Sequence, residues 1–506
     1  MQTQHTALAS CQAFIVWIGF TVAWNVPNVH ADDPAAVVQT AGKTTVPPAP
    51  EGATINTAYR VKVNGRDVPV FAAKVASENA QMRWKAMDDK PNSAKYFDTA
   101  AFASFDFSGA VTVEVTISDS VTSAKILPTS AGVEPNIQGQ TVSFSLSSAS
   151  KLTIEINGET TRSLHLFAND VETNIPDPND PNVIYFGPGT HEVSRLVVHD
   201  NQTLYIAGGA IVRTVVDPDE AFTTNPDTGL RRYAPSIELR GKNIHLRGRG
   251  VIDASACPTH ARDLLLVNGS DITVSGVTFL DASTWNMPIR RSDRVWVHDV
   301  KMISYRANSD GIDICNSRDV TVEDCFLRTL DDLVVIKTDK GQGVANRILV
   351  KRCVLWNQVA HALSIGAEIR EDITNVLFAD CDVIHDRGRE WTLRIFHTDA
   401  AKVSDVQFEN IRIEESEKLI SLWIGQSMWS RDDARGQIQN VFFRDIAATG
   451  VPLDIELTCD LAEQTLASDR DRIENILFEN VLLNSTPLSR NQINISRCVE
   501  NLIVEP

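Results

Sequence analysis

A short pattern of polar and apolar residues recurs between residues 242 and 478 and constrains the fold more than any other feature of the chain. In each copy a polar pair precedes a β-branched residue, and a second apolar segment follows closely, as in residues 406–413. The β-branched positions, here called anchors, lie 28, 23, 25, 28, 28, 30, 35 and 35 residues apart; they are Ile244, Ile272, Val295, Val320, Ile348, Val376, Val406, Val441 and Ile476. A period of this length, built from strands and turns without helical periodicity, is typical of stacked coils. The repeat therefore predicts an all-β chain that forms a right-handed parallel β-helix.

Cysteine usage agrees with this prediction. Cys325, Cys353 and Cys381 each follow an anchor by five positions, so we expect them to form an inward-facing ladder rather than disulfides. Leucine-rich repeats have a similar period but need recurring leucines, which these copies lack. The eight cysteines form no CxxC or Cys/His zinc pattern, and no metal or cofactor is predicted.

The region before the repeat divides into three parts. Residues 1–31 have the apolar run and the small-x-small ending, Val29-His30-Ala31, of a cleaved signal peptide, although an uncleaved N-terminal anchor is the alternative. Residues 32–54 have the composition of a linker. Alternating apolar segments and the turn pairs Asn64-Gly65 and Asn157-Gly158 predict a β-sandwich over residues 55–172. The catalytic β-helix domain is then expected over residues 183–506, and the mature protein is expected to be exported.

The net charge of the 506-residue chain is −18, from 65 acidic and 47 basic residues. Such a surface disfavours nucleic acid and anionic membranes as general partners. A polyanionic substrate would need a locally basic groove.

The residues with catalytic chemistry share one position in the repeat. Counted from the preceding anchors, positions 11 to 18 of five consecutive copies hold Trp285, Asp310, Asp331 with Asp332, His361 and Arg394. Because stacked strands are about 4.8 Å apart, these side chains are expected to lie together on one face. Three neighbouring carboxylates raise at least one pKa, as glycoside cleavage by a general acid and a general base requires. Aspartate is also common in β-helix turns, where its role is structural, so spacing alone leaves that alternative open.

Four sequence blocks in this region resemble the signature blocks of glycoside hydrolase family 28, the polygalacturonases. They are Ser283-Thr284-Trp285, Asn308-Ser309-Asp310-Gly311-Ile312-Asp313, Asp331-Asp332 with Ile336-Lys337, and His361-Ala362-Leu363-Ser364-Ile365-Gly366. The resemblance covers about residues 183–490. It implies a hydrolase that inverts the anomeric carbon of an α-linked polysaccharide, with pectic galacturonan as the expected substrate.

The resemblance also implies a role for each residue. Asp331 would be the general acid, while Asp310 and Asp332 would activate water. His361 would tune the acid, and Asn308 would steer Asp310. The predicted substrate-binding residues are Asn308, Trp285, Arg394, Lys337 and Phe396, with a structural counter-ion as the alternative role for Lys337 and an inward core position as the alternative for Phe396.

The chain departs from the family pattern where the carboxylate of the sugar is expected to bind. The family's Arg-Ile-Lys is Arg394-Ile395-Phe396 here, so one cation is missing. The predicted order of a β-sandwich before a β-helix also resembles the dextranases and isopullulanases of glycoside hydrolase family 49. Because that resemblance implies a neutral substrate, a neutral α-glycan is the second candidate. A pectate-lyase-like enzyme and a non-catalytic carbohydrate-binding β-helix are the rival interpretations.

Overall fold

The structure, a computed structural model, describes residues 42–77, 97–225, 229–460 and 471–506. In these ranges the regular structure consists of 43 β-strands and two short 3-10 helices, Thr129–Ala131 and Arg490–Gln492. No helix in these ranges has the length and apolar character needed to cross a bilayer. The predicted signal peptide and the first part of the predicted linker, residues 32–41, lie outside the described residues.

The first eleven strands form a sandwich of two sheets. One sheet has the order β1-β5-β11-β10-β7 with β4 beside β5, and the other has the order β3-β2-β6-β9-β8. The strands are β1 (Lys43–Thr45), β2 (Tyr59–Val63), β3 (Arg66–Val68), β4 (Val70–Ala76), β5 (Phe97–Ser108), β6 (Val111–Ile117), β7 (Ala124–Leu127), β8 (Asn136–Gln138), β9 (Thr141–Leu146), β10 (Ser150–Ile156) and β11 (Glu159–Asp170). Strand β1 pairs with the edge of β5, so residues 43–45 belong to the sandwich and were wrongly predicted as linker. Their Thr-rich sequence suits an edge strand as well as a linker, which is why composition alone misassigned them.

The remaining chain is a right-handed parallel β-helix with three stacks of strands, which we call the anchor, second and third stacks. The anchor stack contains β12 (Val183–Phe186), β15 (Thr203–Ile206), β19 (Ile237–Gly248), β21 (Leu265–Ser275), β24 (Asp293–His298), β27 (Arg318–Glu323), β30 (Ala345–Lys351), β33 (Ile373–Ala379), β36 (Lys402–Ile413), β38 (Gln437–Ala448), β40 (Ile473–Leu483) and β43 (Val499–Glu505). The second stack contains β13 (Gly189–Val193), β16 (Ala210–Thr214), β20 (Val251–Asp253), β22 (Thr278–Leu280), β25 (Lys301–Ile303), β28 (Phe326–Thr329), β31 (Val354–Asn357) and β34 (Asp382–Asp386). The third stack contains β14 (Leu196–Val198), β23 (Met287–Arg290), β26 (Ile312–Cys315), β29 (Val334–Thr338), β32 (Leu363–Ile369), β35 (Leu393–His397), β37 (Lys418–Gly425), β39 (Asp454–Asp460) and β42 (Ile493–Ile495). Two short antiparallel additions complete the strands: the hairpin of β17 (Phe222–Thr224) with β18 (Arg231–Tyr233), and β41 (Thr486–Pro487) beside β40.

The anchors define the register of the anchor stack, as the repeat predicts. Each anchor pairs in parallel with the next, from Ile244 with Ile272 through to Val441 with Ile476. The residue before each anchor has φ between 54° and 58°. Asn and Asp accept this left-handed conformation more readily than most residues. The second residue of each polar pair therefore makes a local left-handed kink inside its anchor strand, just before the anchor.

The cysteines follow the prediction for the ladder. Cys325, Cys353 and Cys381 are buried and unpaired by disulfide. A disulfide that the sequence did not predict joins Cys459 to Cys498 near the last coils.

The sandwich packs along the outer side of the second stack. Phe102 and Phe167 of the sandwich share one apolar cluster with Phe326, Trp356 and Ile384 of the β-helix. The contacts of the sandwich therefore extend to the middle coils of the β-helix. The apolar outward side chains of β25, β28, β31 and β34 explain this position, because they need a cover.

Candidate active site

The candidate site lies at the corner where the chain passes from the second stack to the third. Backbone hydrogen bonds connect this corner in neighbouring coils: Asn286 N donates to Asp310 O at 2.9 Å and Gly311 N donates to Asp332 O at 2.7 Å. In the next coil, Leu333 N donates to His361 O at 2.9 Å. The predicted alignment of Asp310, Asp332 and His361 in successive coils is thus present in the structure.

The three aspartates form one cluster. An oxygen of each of Asp310, Asp331 and Asp332 lies within 4.8 Å of the others. Asp310 and Asp332 are buried, whereas Asp331 is partly exposed. Inverting glycosidases usually hold their acid and base carboxyls about 6.5–9.5 Å apart, and these oxygens are closer together.

Lys337 lies among the carboxylates. Its Nζ is 3.2 Å from Asp310 Oδ2 and 2.9 Å from Asp313 Oδ1. It also lies 3.6 Å from Asp332 Oδ2. The remaining oxygens, Asp310 Oδ1 and Asp332 Oδ1, are buried and accept no hydrogen bond from the described residues. Lys337 is therefore the counter-ion of the cluster, which is the alternative role that the sequence left open, and its contact with the substrate stays a prediction.

Asp331 differs from its two neighbours in having no ion-pair partner among the described residues. Its Oδ2 accepts a hydrogen bond from Asn308 Nδ2 at 3.3 Å, and its Oδ1 accepts one from Asp332 N at 3.1 Å. Asn308 was expected to steer Asp310, and this expectation is wrong. Its backbone has a left-handed φ of 56°, and its side chain reaches Asp331 in the next coil.

The pKa values of the cluster are displaced upward. Desolvation, followed by the charge of Asp332, raises the pKa of Asp331 to about 8. Burial also raises the pKa of Asp332, and burial together with the charge of Asp331 raises the pKa of Asp310 well above its ordinary value. Lys337 opposes these shifts. The cluster therefore favours keeping a proton, and Asp331 is the member that has no ion-pair partner among the described residues to stabilise its charged form.

His361 is a neutral side chain. Burial, with the nearby charge of Arg394, lowers the pKa of His361 to about 3. Its Nδ1 donates to Trp391 O at 2.8 Å, so Nε2 is unprotonated and lies 4.0 Å from Asp332 Oδ1. His361 is expected from the sequence to tune the acid, Asp331, but the carboxylate beside its ring is that of Asp332, at a distance too long for a hydrogen bond.

An aromatic side chain borders the cluster on the preceding coil. Trp285 is partly exposed, and Lys337 Nζ lies 4.4 Å from the centre of its ring. The guanidinium of Arg290 lies 4.8 Å from the same centre. The ring thus forms one wall beside the carboxylates.

Arg394 and Phe396 form the opposite border. Both project from the outer side of β35, since the guanidinium of Arg394 lies 4.0 Å from the centre of the Phe396 ring. Arg394 Nη1 donates to Glu390 Oε2 at 2.8 Å. Phe396 is partly exposed, so the alternative that it belongs to the inward core is wrong.

Sequence reasoning left three residues out of the predicted site. Asp313 pairs with Lys337, Glu390 pairs with Arg394, and the ring of Trp423 lies 5.1 Å from that of Phe396. Asp313 lies three residues after Asp310, in the sequence block that begins at Asn308. The register of the third stack was the signal available for Trp423, which pairs with Phe396 in the next coil.

The aspartate cluster has the spacing of a cation site, but its chemistry argues against one. Lys337 Nζ already provides a positive charge to two of the three aspartates. A divalent ion at the same oxygens would be repelled by this ammonium group.

Comparisons with known proteins assign the chain to a family. The model of glycosyl hydrolases family 28 matches residues 238–498, just over half of the chain. An exopolygalacturonase of Arabidopsis thaliana is 25% identical over 263 residues, which are 48% of this chain and 59% of that protein. Exopolygalacturonase A of Aspergillus niger is 25% identical over 291 residues, which are 49% of this chain and 63% of that protein. The chain thus spans about three fifths of the length of these relatives.

A solved structure resembles the chain over a larger share of its length. Dex49A from Penicillium minioluteum is 14% identical, with a TM-score of 0.54 over 90% of this chain and 95% of that chain. At this identity the likeness shows a common fold and no more.

Proposed function

The chain belongs to glycoside hydrolase family 28, and on that premise we propose that it is an inverting glycoside hydrolase of α-linked polysaccharide, with pectic galacturonan as the expected substrate. The observation that carries the proposal is the division of the cluster by Lys337. Two carboxylates, Asp310 and Asp332, face this cation, and Asp331 does not.

Asp331 is proposed as the general acid. A carboxyl group can protonate a glycosidic oxygen at neutral pH only if its pKa is raised. Desolvation and the charge of Asp332 raise the pKa of Asp331 to about 8, and its partial exposure leaves it accessible to a bound sugar. Asn308 holds its side chain through a hydrogen bond to Oδ2 and acts as a positioning residue.

Asp310 and Asp332 are proposed to activate water. Lys337 stabilises their charged forms through one oxygen of each carboxylate. The second oxygens, Oδ1 of each, are buried and accept no hydrogen bond from the described residues, which leaves their lone pairs for a water molecule held between them. A water held by two carboxylates is oriented for attack and can transfer its proton to one of them.

His361, Trp285, Arg394 and Phe396 are proposed to bind the sugar. The unprotonated Nε2 of His361 can accept a hydrogen bond from a sugar hydroxyl. The Trp285 ring can pack against a sugar face. Arg394 supplies donors on the far side of the cluster.

The short distance between the carboxylates makes the stereochemistry informative. Carboxyl groups about 5–5.5 Å apart are typical of retaining enzymes, which form a covalent intermediate. Inversion remains the proposal because two base carboxylates with free oxygens can hold the water that inversion needs. The anomer of the first product distinguishes the two mechanisms.

The activity itself is tested with Asp331→Asn. We expect hydrolysis of galacturonan, followed as new reducing ends, to fall by about 10²- to 10⁴-fold, since a positioned general acid contributes this much. Asp454→Asn on the exposed start of β39 is the matched control and should keep the wild-type rate. Unchanged hydrolysis by Asp331→Asn would overturn the proposal, as would a product with the ultraviolet absorbance of a lyase reaction.

We also propose that the protein is exported. The apolar run in residues 13–24 and the small-x-small sequence at Ala31 support this localisation. Mass spectrometry of the secreted chain should find a new N-terminus after Ala31.

A further inference from the structure

A platform of aromatic rings continues the third stack beyond Arg394. Phe396 on β35 pairs with Trp423 on β37 in the next coil, and their ring centres are 5.1 Å apart with an interplanar angle of 52°. Both side chains are partly exposed. Aromatic rings that stay open to solvent on a strand face offer apolar contact to a flat ligand.

The cation beside this platform is already paired. Arg394 Nη1 donates to Glu390 Oε2 at 2.8 Å, and its Nε is buried without a hydrogen-bond partner among the described residues. The register places Ser421 and then Glu456 beside Arg394 in the two following coils. Ser421 Oγ donates to Glu456 Oε1 at 2.8 Å, so a second carboxylate is held near the guanidinium.

The other cations of the site are paired as well. Lys337 lies among Asp310, Asp313 and Asp332. Arg290 lies 3.5 Å from Asp339. A carboxylate on the sugar beside Arg394 would have to compete with these protein carboxylates and would meet a local excess of negative charge.

We infer that the sugar residue bound beside Arg394 carries no negative charge, and that it lies with its C–H face on Phe396 and Trp423. This inference rests on the proposed hydrolase function and narrows its substrate class. The chemistry fits two sources: a neutral sugar, and a uronic acid whose carboxyl is esterified. Arg394 and Glu390 then act as a paired donor and acceptor for hydroxyl groups.

The inference is tested by kcat/KM on three α-linked substrates: free-acid galacturonan, its fully methyl-esterified form, and a neutral glycan. We expect the free acid to be cleaved at least about tenfold less efficiently than the better of the two uncharged substrates. Preference for the methyl ester or for the neutral glycan identifies the source of the uncharged residue. Preference for the free acid would overturn the inference while leaving the hydrolase function intact.

Two variants test the same idea from the side of the protein. Glu390→Gln releases Arg394, and Phe396→Lys adds a cation, so each should raise the relative kcat/KM on the free acid and make it more sensitive to salt. Phe442→Lys is the matched control. Phe442 also packs against an arginine, Arg444, that pairs with a glutamate, but both residues lie on the anchor stack, away from the site. The inference would be contradicted if Phe442→Lys raised the relative kcat/KM on the free acid as well. It would also be contradicted if neither Glu390→Gln nor Phe396→Lys raised it.

The failure of the proposed function is distinguishable from the failure of this inference. If wild type and Asp331→Asn are equally inactive on all three substrates, the hydrolase proposal fails. If wild type is active and only the ranking of substrates differs from expectation, the inference about charge fails.

Discussion

At the scale of single residues, the distribution of charge around one lysine determines what each carboxylate can do. Asp310 and Asp332 each present one oxygen to Lys337, while Asp331 instead accepts neutral hydrogen bonds from Asn308 and from a backbone amide. Charge pairing favours the ionised form of a carboxyl group, and desolvation favours the protonated form. Three side chains of the same type are thereby suited to different roles.

The pH dependence of Asp331 gives the first prediction at this scale. Since desolvation and Asp332 raise the pKa of Asp331 to about 8, kcat should decline as the pH rises through about 8. Stability should decline over the same range: a raised carboxyl pKa means that the folded state binds the proton more tightly, so stability is lost as pH rises from about 4 to about 8. Urea unfolding of wild type and Asp331→Asn between pH 4 and pH 9 measures this, and the variant should lack that part of the decline. An equal decline in both proteins would contradict the placement of the proton.

A second prediction concerns Lys337. Lys337→Met leaves Asp310, Asp313 and Asp332 without their shared cation, and removing one partner of a buried ion pair costs about 3–5 kcal/mol. The free energy of unfolding, measured in urea at pH 7, should fall by this amount, and by less at pH 5, where the carboxyl groups take up protons. Lys340→Met, three residues later and exposed, should change it little. Equal stability of the two variants at pH 7 would show that Lys337 has no such role.

At the scale of strands and coils, each anchor holds its coil in register with the next. Ile348 is fully buried and pairs with Val320 on one side and Val376 on the other. The neighbouring side chain, Leu349, points out of the stack and is only partly buried, as alternation along a strand requires. Inward and outward positions of one strand therefore differ sharply in their tolerance of charge.

Ile348→Asp should unfold the β-helix, because it buries an unpaired charge between coils at a cost of several kcal/mol. Leu349→Asp, one residue away on the outer side of the same strand, is the control and should remain folded. Circular dichroism with thermal melting measures both. A folded Ile348→Asp variant with an unchanged melting temperature would contradict the assignment of the anchors.

The regular register of the strands and the irregular turns differ in how well the sequence predicts them. Anchor spacing predicted the stacks, the cysteine ladder and the shared corner of Asp310, Asp332 and His361, because parallel strands repeat one register coil after coil. It did not predict that Asn308 contacts Asp331, because the conformation of a turn residue decides which neighbouring coil its side chain meets. The pairing of Arg394 with Glu390 depends on a turn of irregular length. The repeat fixes the positions of strand residues only, so it did not predict where Glu390 lies.

At the scale of the whole molecule, the sandwich and the β-helix share a buried polar interface. His385 of β34 hydrogen-bonds Glu155 of the sandwich through Nε2 and Glu415 of the β-helix through Nδ1. In the same interface, Arg328 donates to Thr161 O at 2.8 Å. These contacts adjoin the apolar cluster around Trp356, since its ring lies 4.4 Å from that of His385.

The interface should be stronger in mildly acidic solution. Burial alone would lower the pKa of His385, but the hydrogen bonds to Glu155 and Glu415 outweigh it and raise the pKa. A raised histidine pKa contributes stability that is complete below about pH 6.5, the ordinary value, and is lost as pH rises through the folded value. Glu155→Gln should therefore lower the melting temperature more at pH 6 than at pH 9. Glu159→Gln is the control, because it removes a partner of Arg162 on the same sandwich without involving a histidine. If Glu155→Gln lowered the melting temperature equally at pH 6 and pH 9, the role of His385 would be contradicted.

The measurement that tests the central claim most directly is the configuration of the first product, followed by proton NMR during the earliest turnovers on an α-linked substrate. If Asp331 is the acid and Asp310 with Asp332 directs water to the opposite face of the sugar, the new reducing end is β and becomes a mixture only as mutarotation proceeds. An α product from the start would show that a carboxylate of the cluster attacks the sugar directly, and would contradict the assignment of Asp310 and Asp332 as the water-activating pair.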